Sequence, residues 1–461
     1  MSKIALQLAA SDCVASVLAD VQQGDVVAVQ RHDGSVQQVA AQAHIPFGHK
    51  IALEDVRSGA AILKYGVPIG CATQTITTGQ HVHVHNVRGI MGGCSANESA
   101  AQEVAAPPAP RYDVVALQAW VERVSLASGF SQSAAHDMAE ALMDAESSGV
   151  ATHGLRRLAP YLQRVASGAV NAGATPHVSG AAALLSIDGH NAPGVHVIRV
   201  AADAVAQRAQ HLGASVGLVR HSNHAGALGW AANRIARQGM VALVLSNGPA
   251  LIAPPGSTVP FLSNSPIAIA APLGADATFL LDMATSTVSR DRVRQAAEKN
   301  AQIPLGWALD ASGTPTSDAV AAMAGSMLPI GGPARGFALI LGLELLSGVL
   351  PGALTDILVP SKDKGSIQPE GIGHFILAVD PAHLNDREAF IQRLQQLEQR
   401  LVGQSGSGGG PTPRLPGRRR QQLREQAQQQ GLVIASATLQ TLTQIARDTG
   451  CPLPAAREVS S

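Results

Sequence analysis

Residues 216–239 read VGLVRHSNHAGALGWAANRIARQG. The apolar run 216–219 has the length and branched side chains of a buried strand. Arg220, His221, Ser222, Asn223 and His224 follow as a polar turn. Ala, Leu and Trp then recur at helical spacing until Gly239 closes the segment, and a second apolar run, 240–245, starts at once. Strand, helix and strand in succession predict an α/β sheet. His224 stands where the strand feeds the helix, the position where such sheets commonly place ligands. An imidazole there titrates near neutral pH and can move a proton; a surface or capping histidine is the alternative. Asn223 and Ser222 add polar groups beside it, and Gly226 and Gly229 leave room for close backbone approach.

Working outward, residues 151–168 read ATHGLRRLAPYLQRVASG. Thr152 is placed to cap a helix running from His153 to about Ser167, with Gly168 as its stop. On that helix His153 and Arg157, four residues apart, share one face. A guanidinium fork beside a titratable imidazole suits a 2-oxo or 2-hydroxy acid, the fork holding the carboxylate while the imidazole exchanges a proton with the adjacent oxygen. A capped surface helix is the alternative. Three apolar runs end in small polar residues: Ser246 and Asn247; Ser263, Asn264 and Ser265; Asp282, Thr285 and Ser286. Amides and hydroxyls at such ends can cradle a phosphate-bearing cofactor. No GxGxxG follows a strand and no GxxxxGK[ST] occurs, so the common nucleotide fingerprints are missing.

With 461 residues the chain has room for two or three domains. It is 46% hydrophobic and 14% charged with no net charge, which argues against nucleic acid as the main partner. Aromatic residues make up 3%, too few for base-stacking platforms. Cys13, Cys71, Cys94 and Cys451 lack CxxC spacing and suggest neither a zinc framework nor a disulfide scaffold, so no metal is expected. The most apolar helix, 338–350, carries Glu344 and is shorter than the ~20 residues a bilayer requires. No signal segment is evident, and a soluble cytoplasmic protein is expected.

The first hundred residues carry short strand signals, at 26–29 after Gly24-Asp25, at 49–52 and around the Gly66/Pro68/Gly70 cluster, and end in HVHVHN. In a strand His81, His83 and His85 point to one face, either a metal or anion site or a solvated polar face. Residues 96–111 end in a Pro/Ala run and predict a linker, so the expected domains are 1–95 and 112–461. The stretch GHFILAVDP, with His374, predicts a strand of a small second lobe. The helix 387–401 and the basic run 418–420 predict solvated faces, and GSGGGP at 406–411 predicts a flexible loop.

Two resemblances follow from these motifs. Residues 45–86, with PFGHKIAL, KYGVPIG and HVHVHN in order, resemble the small β-clip (SAF) domain of altronate and galactarate dehydratases and of sulfolactate sulfo-lyase. That domain works with a large lyase subunit, and the resemblance implies an acid-binding role for His49, Lys50, His81, His83 and His85. From about residue 112 to 454, THGLRRLAPY, HSNHAGALG, LSNSPIAIAAP, LDMATS, IPLGWALD and PIGGPARGFALIL follow one another as in the malate/L-lactate dehydrogenase family, which lacks a Rossmann fold. This resemblance implies an α/β domain with a mixed sheet, a homodimer, and NAD- or NADP-dependent hydride transfer at C2 of a small acid. It implies His153 as the first-ranked and His224 as the second proton carrier, and Asp282 as the residue orienting the catalytic histidine. Arg157 and Thr152 fall at the substrate. Asn223, Ser246, Asn247, Ser263, Asn264, Thr285, Gly331, Gly332 and Arg335 fall at the cofactor. The chain departs from the family at Thr152, where Ser is usual, at Asp291-Arg292, where Gly-Lys is common, and at Arg335, where Lys is common. A fusion of a SAF domain with a 2-hydroxyacid dehydrogenase is the main expectation, with sulfolactate weakly favoured over malate or lactate. A lyase subunit that recruits a separate large partner is the alternative.

Overall fold

A computed structural model describes residues 3–88, 110–274, 277–360, 367–384, 386–404 and 412–457. Most of the expected linker, 96–109, and the loop 406–411 lie outside them. The chain divides into two units, Met1–Pro108 with Gln404–Pro413, and Ala109–Gly403 with Arg414–Ser461.

The first unit is built from short strands. Six form one sheet in the order Val36–Ala40, Val26–Gln30, Lys3–Leu6, Val14–Val17, Lys50–Ala52, His81–Val82. Ala61–Lys64, Val67–Ala72 and Val87–Arg88 form a second. The two-residue period sets which side chains go inside: in Val26–Gln30, Val27 and Val29 are buried and Val26 and Gln30 exposed. Val27 and Val29 meet Val17, Val39, Ile45 and Ile51 in a core of mostly branched side chains, each worth about 1.5–3 kcal/mol when fully buried. HVHVHN does not continue as a strand beyond Val82. Asn86 closes a turn instead: its amide nitrogen donates to the His81 carbonyl at 2.9 Å and its amide oxygen accepts from the His83 N–H at 3.0 Å. Cys71 is held in a disulfide, a bond that the scattered cysteine spacing did not suggest.

The second unit is organised by a seven-stranded mixed sheet in the order His177–Ser179, Leu184–Asp188, Ala214–Ser222, Ile372–Val379, Val241–Ser246, Ile267–Pro272, Thr278–Met283. Only Leu184–Asp188 and Ala214–Ser222 pair in parallel. The strand Ile372–Val379 is central and antiparallel to both of its neighbours. It therefore belongs to the main sheet and not to a small second lobe. Its residues are buried along most of their length, as an interior strand requires.

This pairing sets the position of the site. Ala214–Ser222 and Val241–Ser246 run in the same direction on either side of Ile372–Val379, so their carboxyl ends and its amino end share one edge of the sheet. Thr278–Met283 also ends there, because two antiparallel steps separate it from Val241–Ser246. Helix Gly194–Leu212 covers the sheet with Ile198, Ala201, Ala202, Val205, Ala206 and Ala209, a 3.6-residue pattern that is fully buried. Helix Gln132–Ser147 is capped by Ser131 and packs on the same core.

The helix expected from His153 to Ser167 is broken. Two 3₁₀ turns, Ala151–His153 and Leu155–Arg157, precede the α-helix Leu158–Ala166. Gly154 has an extended ψ of −145°, and Glu146 accepts the Leu155 N–H at 2.8 Å in competition with a helical bond. A Cβ at Gly154 would stand 2.1 Å from that carboxylate, so glycine allows the turn to sit on helix Gln132–Ser147. Thr152 is consequently not a helix cap.

Candidate functional site

The residues at this sheet edge line a cleft of about 320 Å³. Of the residues expected from sequence, Thr152, His153, Arg157, His224, Ser246, Asn247, Asn264 and Asp282 line it together. They come from the broken turn, the ends of three strands and the loop before a fourth. The imidazoles of His153 and His224 stack with centroids 5.7 Å apart and planes 14° from parallel. His153 Nδ1 lies 3.0 Å from the Thr152 hydroxyl. His224 Nδ1 lies 2.7 Å from the Tyr161 hydroxyl and accepts the Gly226 N–H at 3.3 Å. An amide can only donate, so Nδ1 is bare and the neutral ring carries its proton on Nε2. Burial pushes the Tyr161 phenol well above its ordinary pKa, so its hydroxyl stays protonated and donates to His224.

The turn bearing His224 is held from below. Glu370 accepts the His224 N–H at 2.8 Å. The Asn223 amide nitrogen donates to the carbonyls of Asn191 and Ala192, at 3.3 and 2.9 Å. Asn223 therefore lies beneath the cleft and does not line it. Asn191 and His221 adopt left-handed φ values of 60° and 53°, a strained conformation that costs roughly 1–3 kcal/mol each and gathers at functional sites. Gly194 brings its helix so close that a Cβ there would lie 2.0 Å from the Asn223 carbonyl.

His374 lies in the central strand with no solvent exposure. Its Nδ1 is 2.9 Å from the Ser246 hydroxyl and its Nε2 is 2.9 Å from the Ser222 hydroxyl, so one imidazole joins the ends of both neighbouring strands. Burial holds its pKa down at about 3, and the ring is neutral. Beside it Asn247 donates to Glu344 at 3.0 Å, and burial raises the Glu344 pKa.

Charge in the cleft is paired. Arg157 donates through Nε to the Thr152 carbonyl at 2.6 Å and through an Nη to Asp291 at 3.0 Å. Asp282 pairs with Arg420 at 3.0 Å. The basic run 418–420 thus does not form a wholly solvated face: Arg420 lines the cleft and Arg418 pairs with Glu398. The helix Arg387–Val402 has no buried residue. Ser263 bonds to the Ser265 hydroxyl at 2.9 Å, and Thr285 donates to the Asn264 carbonyl at 2.7 Å, both behind the cleft wall. Gly331 and Gly332 lead into helix Pro333–Glu344, on whose first turn Arg335 is exposed, and none of the three lines the cleft. Sequence reasoning did not single out Tyr161, Glu370 or the bond from Arg420. Tyr161 sat inside a quoted motif, three residues into the helix that follows Arg157.

In the first unit, His49 stacks on His83 at 4.5 Å, and His49 Nδ1 is 2.9 Å from His81 Nε2. The His85 ring lies 5.2 Å from that of His81. Burial, then the neighbouring His49, holds the His81 pKa down at about 4. Desolvation also lowers that of Lys50. Among the described residues no group of three or more His, Cys, Asp or Glu is arranged to hold a metal ion, and no helix is long and apolar enough to cross a membrane.

Residues 112–443 match the malate/L-lactate dehydrogenase family, and residues 3–89 match the altronate/galactarate dehydratase SAF domain. The chain is 36% identical to (2R)-3-sulfolactate dehydrogenase (NADP(+)) of Chromohalobacter salexigens over 62% of this chain and 84% of that protein. It is 31% identical to the Δ1-pyrroline-2-carboxylate/Δ1-piperideine-2-carboxylate reductase of Pseudomonas aeruginosa over 68% of this chain and 93% of that protein. Its fold is similar to that of sulfolactate dehydrogenase from Methanocaldococcus jannaschii, with a TM-score of 0.67 and 27% identity, over 74% of this chain and 98% of that one.

Proposed function

The chain belongs to the malate/L-lactate dehydrogenase family of oxidoreductases, and we propose that it interconverts a small 2-hydroxy acid and its 2-oxo acid with NAD or NADP. The observation that carries this reading is the stacked His153–His224 pair set beside Arg157 in one cleft. The relative from Chromohalobacter supports sulfolactate as the acid and NADP as the cofactor.

The residues suit a nicotinamide cofactor. Pro249, Leu251, Met283 and Ile372 give the cleft an apolar wall, and Asn264 and Asn247 bring polar groups to it. Asn247, Asn264 and Ser246 would hold the nicotinamide end. Ser263 and Thr285 would shape its loops, Asn223 would support the turn beside it, and Gly331, Gly332 and Arg335 would meet its phosphates. When bound, the cofactor supplies or accepts a hydride at C2 of the acid. Arg157 holds the acid's carboxylate through its Nη hydrogens, while its Nε stays on the Thr152 carbonyl. Thr152 orients both partners, through its carbonyl to Arg157 and its hydroxyl to His153. In reduction, the histidine pair gives a proton to the C2 oxygen. The Tyr161 hydroxyl, bonded to Nδ1, fixes His224 as the tautomer with its proton on Nε2. Asp282, in the same cleft and paired with Arg420, would orient the catalytic histidine.

A second copy of the chain as partner is supported by Leu339, Leu341, Leu345 and Val349, which are exposed on and after helix Pro333–Glu344. The imidazole cluster of the first unit supports an acid-binding role there, and with it a separate large lyase subunit as partner. A reaction drawing on the nicotinamide pool fits the cytoplasm. The test is absorbance at the reduced-nicotinamide band with NADH and NADPH against sulfopyruvate, oxaloacetate, pyruvate and keto sugar acids. Oxidation with one of them is expected. No turnover by folded protein would move the assignment to the lyase-subunit reading.

A further inference from the structure

We propose that Asp291 is an internal stand-in for the substrate carboxylate: it occupies Arg157 until an acid displaces it, and so sets the site's affinity and its preference among acids by charge. The inference rests on Arg157 as the residue that holds the acid.

Asp291 is 8% exposed and lines the same cleft as His153 and His224. One carboxylate oxygen accepts from an Arg157 Nη at 3.0 Å and the other from Arg294 Nη1 at 3.0 Å. Arg157 thus already carries one carboxylate before any acid arrives. Asp291 is not needed to aim Arg157, whose Nε is fixed to the Thr152 carbonyl at 2.6 Å on the other side. Removing the aspartate charge leaves the guanidinium in place and more attractive to an anion.

Asp291 can also leave Arg157 without being stranded. Arg294 holds its second oxygen, and it sits in the first turn of helix Arg290–Glu298, where the helix dipole favours a negative charge. An acid reaching Arg157 brings a second carboxylate against the first. At separations near 5 Å and an effective dielectric of about 20, that repulsion changes affinity by roughly tenfold or more for each charge on the acid. A singly charged acid meets less of this repulsion at Arg157, and a doubly charged one such as sulfopyruvate would need its second charge met by another cation lining the cleft, such as Arg290. Glycine, the residue common here in the family this chain resembles, would exert no such selection.

The experiment is isothermal titration of the full chain with oxalate, which cannot be reduced at C2 and carries two charges, and with glycolate, which carries one. Asp291→Asn keeps the shape and removes the charge. It is expected to bind oxalate about 100-fold tighter than the parent and glycolate about tenfold tighter, and both gains are expected to shrink in high salt. Asp291→Glu, which keeps the charge and reaches further onto Arg157, is expected to bind oxalate no more tightly than the parent. It serves as the second variant if the first does not fold. Oxalate binding that Asp291→Asn leaves unchanged or weakens, or a tightening of equal size in Asp291→Glu, overturns the proposal alone. If neither the parent nor Asp291→Asn binds oxalate, Arg157 does not hold the acid, and the functional reading fails with the proposal.

Discussion

The Tyr161 hydroxyl lies 2.7 Å from Nδ1 of His224, and burial keeps that hydroxyl protonated. Tyr161 thereby fixes which nitrogen of His224 carries the exchangeable proton. Tyr161→Phe removes the donor and keeps the ring in the core. We expect kcat to fall about 10–100-fold, at the low end of a positioned acid–base contribution, with the acid's KM changed by less than about threefold. Steady-state kinetics from pH 5 to 9 would check it, and an unchanged kcat and pH profile would remove Tyr161 from the proton path.

His374 makes stability depend on pH. Its folded pKa of about 3 lies below the ordinary value near 6.5. Between these values the unfolded chain binds a proton that the folded chain refuses, so stability is full above about pH 6.5 and falls as pH drops toward 3. One such group gives a slope of up to roughly 1.4 kcal/mol per pH unit in that window. Urea unfolding at pH 7 and pH 5 would measure it. His374→Gln should flatten the slope while lowering stability at pH 7, because it loosens the joint between Ser222 and Ser246.

Arg157→Lys separates charge from geometry. An ammonium keeps the positive charge but cannot hold Thr152 and a carboxylate, that of Asp291 or of an acid, together from one plane. The acid's KM should rise about tenfold or more with a smaller loss of kcat, and the cofactor's KM should be unaffected. Equal losses in kcat and kcat/KM would mean that Arg157 acts only in the transition state.

Gly194→Ala tests the backbone support of the site. The added methyl would stand 2.0 Å from the Asn223 carbonyl, on a residue whose side-chain amide is itself bonded to Asn191. The helix must shift, with an expected loss of roughly 1–3 kcal/mol. Activity and thermal stability should decline together, and an unchanged melting temperature would contradict the close approach.

Much of this was legible in the sequence, and what was missed has physical causes. The strand and helix around His224 were readable because apolar runs and helical spacing report burial directly. The helix at His153 was misread because Gly154 and the Glu146 carboxylate act through a contact with another helix, which local spacing does not encode. His374 was assigned to a second lobe because its strand comes last in sequence yet lies at the centre of the sheet, and strand order is set by long-range pairing. Arg420 reads locally as part of a solvated basic run because its partner, Asp282, lies 138 residues earlier in the chain. The three histidines of HVHVHN do cluster, but through the Asn86 turn and His49 and not through strand alternation.

The central claim is that the His153–His224 pair moves the proton while a nicotinamide cofactor moves the hydride. Its most direct measurement follows NADPH oxidation with sulfopyruvate in the parent, in His153→Ala and in His224→Ala, each checked for fold by circular dichroism. The account predicts turnover in the parent and a loss of about 100-fold or more in kcat for each variant, with NADPH binding retained. Parental turnover that survives both substitutions would contradict it.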